Sequence, residues 1–303
     1  MSNEFELHPS SIGTYLECPK LYEYSYILEL PVFGSEFSPH LVRGTSAHLA
    51  TQLFYKLLVY KEIPKDFTQV YNYFEKKALE ALGKTWQKDG YENKEQERQF
   101  YMETIAMMKI FAYNQWQHWF LRLQENSGSR PDAFRLFKPK FDEEPLEQLD
   151  INVKGTVDAV YTDYNGDKYA TKIIYDGPVV KVVDYKTSRI KDYTVPEGYK
   201  IQAKTYAYLL YADKGIIANY IGIYYFRLGI TFFFEVSLDD IIETGTFLEE
   251  LQSNIKNGIF PKKKGEHCYR CPYYSVCYNQ ISQEKYIELI EERKLKREVL
   301  KNE

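Results

Sequence analysis

The spacing of hydrophobic residues divides the chain into a helical first part and a strand-rich second part. Apolar residues recur every three or four positions over about 45–60, 66–84 and 95–124, which predicts amphipathic helices there. A shorter helix, capped by Ser10 or Ser11, is expected to end near Pro19. The stretch 60–130 carries no recognisable motif, and we expect it to be a helical insertion.

β-Branched and aromatic residues dominate the middle of the chain. They predict strands in "FRLFKPKF" (134–141), "DINVKGTVDAVYTD" (150–163) and "PVVKVVDYKTS" (178–188), with "YNGDK" as a hairpin turn. A helix over about 197–212 precedes two further strands, 219–228 and 230–237, and another helix begins near Leu238. This order predicts one α/β domain over 1–303, with a central mixed sheet flanked by helices.

Bulk composition narrows the function classes only a little. The 303 residues are 44% hydrophobic, enough to bury a sizeable core, and the net charge of −4 excludes a general coat of positive charge. Contact with DNA must therefore come from a local patch. The sequence shows no secretory leader and no apolar run long enough for a membrane helix, so we expect a cytoplasmic protein without a membrane partner. Lasting disulfides are not expected there.

The cysteines are distributed unevenly. Cys268, Cys271 and Cys277 lie within "HCYRCPYYSVC", whereas Cys18 lies far upstream in the first predicted helix. A two-residue gap between cysteines lets two thiolates meet one metal centre, so the spacing predicts a metal site. Spacing alone leaves zinc and a 4Fe–4S cluster equally open. Either metal would tie the first helix to the region 260–280.

Charged side chains beside an apolar run suggest a second metal site. In "VVDYK", Asp184 and Lys186 point to the same face of a strand, and Asp158 lies on the preceding strand. Carboxylate oxygens suit Mg²⁺ or Mn²⁺, and a neighbouring lysine can orient or deprotonate a water molecule. The alternative is that these are ordinary surface charges. Gln202 and Tyr206, four residues apart, share one face of the next predicted helix.

Together these segments resemble the PD-(D/E)XK nuclease superfamily, and within it the RecB/AddB-type branch that carries an iron–sulfur cluster. CRISPR-adaptation nucleases belong to the same branch. Each piece is weak alone, but the order of the pieces along the chain matches the family's. They are the segment Ser11–Cys18, "RGTSAH" with His48, "GTVDAV" with Asp158, "VVDYKT" with Asp184 and Lys186, "QAKTY" with Gln202 and Tyr206, and the three late cysteines.

The resemblance implies a role for each matching residue in the predicted active site. His48, Asp158, Asp184 and the carbonyl of Tyr185 would hold Mg²⁺ or Mn²⁺. Lys186 would activate the attacking water and stabilise charge on the phosphate.

Further roles follow from the same resemblance. Gln202 would help to order the site, and Tyr206 would contact DNA or the polar network. The four cysteines would bind a 4Fe–4S cluster that secures the fold. Arg43 fits a phosphate contact or a helix cap equally well.

The expected activity is that of a metal-dependent DNA exonuclease acting on single-stranded DNA or DNA ends, in recombination, repair or replication. A CRISPR-adaptation nuclease and a non-catalytic DNA-binding subunit are the alternatives, and a zinc-stabilised binding module is a third. "ALGKT" (81–85) lacks the earlier glycine of a phosphate-binding loop, because position 78 is alanine. Any helicase or recombination function is therefore expected from a separate partner protein.

Overall fold

The computed structural model describes residues 6–32, 38–163 and 179–301, so the predicted turn "YNGDK" lies outside the described residues. The helices are α1 (Pro9–Glu17), α2 (Pro19–Tyr22), α3 (Pro39–Leu57), α4 (Phe67–Thr85), α5 (Lys94–Glu125), α6 (Arg130–Phe137), α7 (Glu197–Lys214), α8 (Leu238–Lys256), α9 (Tyr274–Cys277) and α10 (Gln283–Lys301). The strands are β1 (Phe141–Gln148), β2 (Val153–Asp163), β3 (Val179–Lys186), β4 (Tyr220–Tyr225) and β5 (Ile230–Glu235).

The hydrophobic spacing locates the long helices well. Helices α4 and α5 begin and end within one or two residues of their predicted bounds, and α3 begins earlier because Pro39 supplies a ready first helical position. The cap of α1 was predicted wrongly. His8 is the capping residue, and the Ser11 hydroxyl, 2.9 Å from the His8 carbonyl, donates a hydrogen bond back to it.

The segment 134–141 is not a strand, and that prediction was wrong. Its first half lies in α6, where Ala133 and Phe137, four residues apart, are both fully buried. The strand instead begins at Phe141 and runs through "FDEEPLEQ", an acidic sequence with a proline in its middle. Strand propensity disfavours such a sequence, and pairing with β2 overrides that preference.

Within the described ranges the strands form one sheet in the order β1–β2–β3–β4–β5. β3 and β4 run parallel, and α7 forms the crossover between them, whereas the other neighbouring pairs are antiparallel. The predicted mixed sheet flanked by helices is thus confirmed. None of the described helices combines the length and the apolarity that crossing a membrane would require.

The two faces of the sheet pack against different helices. Val157, Val182 and Ile223 join a core with α1, α7 and α8, while Ala159 and Tyr185 join a second core with α3, α4 and α5. Alternate residues of β3 therefore enter different cores, as the twofold period of a strand requires. β3 is buried on both faces, and its polar residues have to find partners inside the protein. The division of the chain into a nuclease domain with an insertion over 60–130 stays a prediction.

Candidate active site

A buried carboxylate on β2 is the centre of the site. Asp158 is 5% exposed. Its Oδ1 lies 2.9 Å from Nδ1 of His48 on α3, and its Oδ2 accepts a hydrogen bond from the backbone N–H of Tyr185 at 2.6 Å. The pair joins a helix and a strand that are 110 residues apart in sequence. Asp158 is therefore held in place from both of its oxygens.

A third acidic group reaches the same place from β1. Glu143 has a left-handed backbone conformation, with φ of 52°, and the pairing register skips it between Asp142 and Glu144. The same register skips Asp158 of β2, so the pairing is distorted by one residue on each strand, and Glu143 lies opposite Asp158. A non-glycine residue with positive φ costs about 1 kcal/mol, a strain often found at functional sites.

Two residues of β3 form an ion pair beside this cluster. Nζ of Lys186 lies 2.7 Å from Oδ2 of Asp184, and the two side chains are 14% and 2% exposed. They lie on the same face of β3, as the strand alternation predicts, while Tyr185 packs into the opposite core. The lysine ammonium is therefore fixed at the edge of a buried acidic site.

Helix α7 supplies the residues that hold the lysine. Lys186 Nζ donates to Oε1 of Gln202 at 2.8 Å, and Nε2 of Gln202 donates to the Tyr206 hydroxyl at 3.4 Å. Gly155 of β2 makes room for this arrangement, because a Cβ there would lie only 3.0 Å from the Tyr206 ring. The sequence "GTVD" thus supplies both the glycine that lets Tyr206 approach β2 and the Asp158 carboxylate.

Tyr185 supports the site from the other side of the sheet. Its hydroxyl lies 3.1 Å from that of Tyr161, which in turn lies 2.8 Å from the Tyr55 hydroxyl. Tyr55 donates to Gln115 on α5 at 2.9 Å. This buried chain fixes the β3 backbone whose amide holds Asp158.

Crowded carboxylates disturb the protonation of the site. Burial raises the pKa of Glu143 to about 7, with repulsion from Asp158 adding to it. Burial also raises the pKa of Asp184 to about 6, although Lys186 opposes this shift. Burial alone would lower the pKa of His48, but Asp158 and its neighbours outweigh it and raise the pKa to about 9. Repelling carboxylates whose charge is poorly compensated are typical of a cation site.

Three of these groups satisfy the geometry of a metal site. One ligand atom each from His48, Glu143 and Asp158 lies within 4.8 Å of the others. The buried Oε1 of Glu143 has no hydrogen-bond partner among the described residues, and Nδ1 of His48 lies 3.9 Å away. A buried carboxylate oxygen without a partner is costly unless a cation meets it. The imidazole and carboxylates therefore fit a divalent cation such as Mg²⁺ or Mn²⁺.

Sequence reasoning missed Glu143. It predicted a strand over 134–141, so no strand was expected to pass through "DEEP". Even with β1 placed correctly, the sequence does not give the register with β2 that sets Glu143 opposite Asp158. The missing signal is the positive φ, which the residue types do not reveal.

The four cysteines predicted to bind a metal also lie together in space. Cys18, Cys268, Cys271 and Cys277 are free thiols that line one pocket. Burial raises the pKa of the thiols of Cys271 and Cys277, and the other cysteines add to it. We call this set the cysteine pocket, and His48, Glu143, Asp158 and Asp184 the acidic centre.

Comparison with known proteins gives the family. The family model of the PD-(D/E)XK nuclease superfamily matches residues 6–278. The structure of a candidate exonuclease from Eubacterium rectale shares 12% identity over 90% of this chain and 89% of that chain, with a TM-score of 0.38. The structure of SSO0001 shares 16% identity over 60% of this chain and 77% of that one, with a TM-score of 0.28. A comparison with curated proteins gives no match. The family match covers most of the sequence, and the chain therefore belongs to the PD-(D/E)XK nuclease superfamily.

Proposed function

We propose that the protein is a metal-dependent deoxyribonuclease that removes nucleotides from single-stranded DNA or from DNA ends. The observation that carries the proposal is the acidic centre beside a half-buried lysine. His48, Glu143 and Asp158 converge from three separate elements, and Lys186 is ion-paired to Asp184 next to them. Cation ligands together with a positioned ammonium are the groups that phosphodiester hydrolysis needs.

The metal would be held by the acidic centre. His48, Glu143 and Asp158 are its first candidate ligands, and Asp184 and the Tyr185 carbonyl are proposed to join them. When bound, Mg²⁺ or Mn²⁺ would polarise the phosphate and lower the pKa of a water molecule. Because the pKa of His48 is raised to about 9 and that of Glu143 to about 7, metal binding at neutral pH must displace the His48 proton and the proton of the Glu143 molecules that are still protonated.

Lys186 is proposed to act on the attacking water and on the charge that develops on the phosphate. Asp184 and Gln202 occupy two directions around its Nζ, which leaves one ammonium hydrogen for water or a phosphate oxygen. Gln202 positions Lys186, and the Tyr206 hydroxyl positions Gln202. Burial, with Asp184 and Asp158 nearby, raises the pKa of Tyr206, so its hydroxyl stays neutral and can serve as a hydrogen-bond partner throughout.

The cysteine pocket is proposed to hold a 4Fe–4S cluster, which would make this chain a RecB/AddB-type member. All four cysteines line the same pocket although Cys18 and Cys268 are 250 residues apart, and none is used in a disulfide. Lys20 and Lys262 also line the pocket and would offset the negative charge of thiolate ligands. The proposed role is structural.

A comparison of linear and circular single-stranded DNA tests the function. The protein, incubated with Mg²⁺ or Mn²⁺, should release nucleotides or short fragments from the linear substrate and leave the circle intact. EDTA should stop the reaction. Cutting of the circle would replace exonuclease by endonuclease action, and full activity in EDTA would exclude the proposed metal site. DNA binding without any cutting would favour a non-catalytic subunit.

A further inference from the structure

Two arginines meet at one carbonyl just beyond the end of β3. Nε of Arg227 donates to the carbonyl of Thr187 at 3.2 Å, and Nη2 of Arg43 donates to the same oxygen at 3.4 Å. Arg43 begins the "RGTSAH" segment on α3, and Arg227 follows the end of β4. Two guanidinium groups, those of Arg43 and Arg227, therefore lie together at the carboxyl ends of the parallel strands β3 and β4.

Glu103 of α5 holds this pair together. Its Oε2 accepts from Nη1 of Arg43 at 3.2 Å and from Nη2 of Arg227 at 2.7 Å. The hydrogen bond from Arg227 lowers the pKa of Glu103, so the carboxylate stays charged. α5 lies in the segment expected to be an accessory insertion, yet it supplies the residue that orients both arginines.

The cluster keeps an excess of positive charge. Arg189, which is exposed on the loop after β3, also acts electrostatically on Arg43 and Glu103. One carboxylate thus faces three guanidinium groups. Burial and the arginines lower the pKa of His40, which keeps this fourth neighbour neutral. An anion would complete the balance of charge.

The position relative to Lys186 suggests which anion. Thr187 directly follows Lys186, and the N–H of Phe226 donates to the Lys186 carbonyl at 3.0 Å. Arg227 is therefore two residues beyond Tyr225, the register partner of Lys186 on β4. If the phosphate that reacts lies at Lys186, a neighbouring phosphate of the same DNA strand would come within reach of the arginines at this edge of the sheet.

We infer that Arg227 binds a phosphate of the nucleic acid next to the one that is hydrolysed, with Arg43 and Glu103 as its positioning residues. This inference rests on the proposed function. Arg227 is 22% exposed, whereas Arg43 is only 3% exposed. Nε and Nη2 of Arg227 donate to Thr187 and Glu103, and Nη1 of Arg227 has no partner among the residues that the structure describes. The phosphate is either an internal phosphodiester or a terminal monophosphate.

The alternative is that Glu103 and the arginines only pin α5 to the sheet. Both roles would lower the thermal midpoint when Arg227 is removed. Only a phosphate contact would change how DNA affinity depends on salt, because each neutralised phosphate releases counterions. The salt dependence of binding therefore separates the two.

The test measures binding of internally labelled single-stranded oligonucleotides in EDTA, at several salt concentrations, so that no cutting occurs. For Arg227→Ala, the slope of log affinity against log salt should fall in magnitude by about 0.7. Arg227→Gln removes the charge but keeps a hydrogen-bond donor for Thr187, and should lose the same slope with less loss of stability. Arg227→Lys should keep the slope. Arg135→Ala on α6, where the arginine side chain is 72% exposed, is the matched control and should leave the slope unchanged.

Oligonucleotides with hydroxyl ends, a 5′-phosphate or a 3′-phosphate show whether the bound phosphate is an internal phosphodiester or a terminal monophosphate. Loss of slope on all of them supports an internal phosphodiester, and loss on one phosphorylated end alone supports a terminal phosphate. Slopes for Arg227→Ala and Arg227→Gln equal to that of a parent that binds and cuts DNA would overturn this inference alone. A parent that neither binds nor cuts DNA would overturn the proposed function and this inference with it.

Discussion

The acidic centre and the cysteine pocket are both assembled from distant segments, but they are held in different ways. The acidic centre stands on the central sheet, and protein hydrogen bonds fix Asp158 and Lys186 on two sides each. The cysteine pocket lies beside a small cluster of buried residues. That cluster consists of Tyr24, Leu30, Tyr273, Val276, Tyr286 and Ile290.

The difference predicts two kinds of dependence on metal. The acidic centre should keep its shape without a cation, because the sheet and its hydrogen bonds define it. The cysteine pocket has only a small core, and its segments should depend on the proposed cluster for stability. Four substitutions test this contrast, starting with the one of largest effect.

Removing Cys18 should cost the most stability. A cluster bound by Cys18 and the late cysteines closes a loop of about 250 residues, which in a chain-entropy model is worth about 5 kcal/mol. Cys18→Ser should therefore lose iron, the brown colour and a large part of the free energy of unfolding. The measurements are iron content, visible absorption and denaturant unfolding under anaerobic conditions.

The iron-free parent is the control for this experiment. Cys18→Ser and the parent should unfold alike once iron is removed from both, because the serine then costs only its own packing. A colourless parent that carries one zinc ion and no iron would contradict the cluster. Equal iron and equal stability in both proteins would contradict the role of Cys18.

Lys186→Ala should abolish most cleavage without unfolding the protein. Loss of a preorganised charge that acts in the transition state typically costs a hundredfold or more in turnover, about 3 kcal/mol. The effect should appear in kcat, measured on linear DNA with saturating Mn²⁺. Iron content should stay at the parental level.

Lys84→Ala is a suitable control, because Lys84 forms only an exposed ion pair with Glu80 on α4. It should keep parental turnover. Near-parental cleavage by Lys186→Ala would mean that the active site has been misplaced.

The sequence predicted all four residues of the cysteine pocket, but it missed Glu143 of the acidic centre. Residues named from "VVDYK" and "QAKTY" lie together as the alternation of a strand and the spacing of a helix require, because these contacts follow from local geometry. Glu143 could not be predicted, since its place opposite Asp158 depends on the pairing of β1 with β2, which is locally distorted there. The convergence of Cys18 with the late cysteines was predicted from the metal-ligand spacing of the cysteines and from the family resemblance, because no local rule joins residues so far apart.

Glu143→Gln should stabilise the metal-free protein at high pH and weaken its response to metal. The pKa of Glu143 is raised to about 7, so the folded protein keeps a proton that the unfolded chain releases near its ordinary value of 4.5. Charging this group as pH rises therefore destabilises the fold, by about 3 kcal/mol above pH 8. The variant should match the parent near pH 4 and be more stable at pH 8.

Thermal unfolding at both pH values, with and without Mn²⁺, measures this effect. Mn²⁺ should raise the parental midpoint more than that of the variant, since the variant lacks a charged ligand. Glu147→Gln, on the same strand but with a side chain 50% exposed, should behave like the parent. Equal Mn²⁺ responses of parent and Glu143→Gln would remove Glu143 from the metal site.

Tyr206→Phe should have the smallest effect, because it removes one hydrogen-bond partner from the end of a chain. Its hydroxyl accepts from Gln202 at 3.4 Å, a long bond, while Gln202 keeps its contact with Lys186 at 2.8 Å. A neutral hydrogen bond contributes about 1 kcal/mol, so kcat should fall about fivefold or less with little change in KM. In a Gln202→Ala background the same substitution should change kcat hardly at all, because the hydroxyl acts through Gln202. Tyr208→Phe, on the same helix but packed towards Gly245 of α8, should keep parental kcat. A hundredfold loss in Tyr206→Phe that persists without Gln202 would show direct contact with the substrate, and would make α7 part of the reacting surface rather than a support for the lysine.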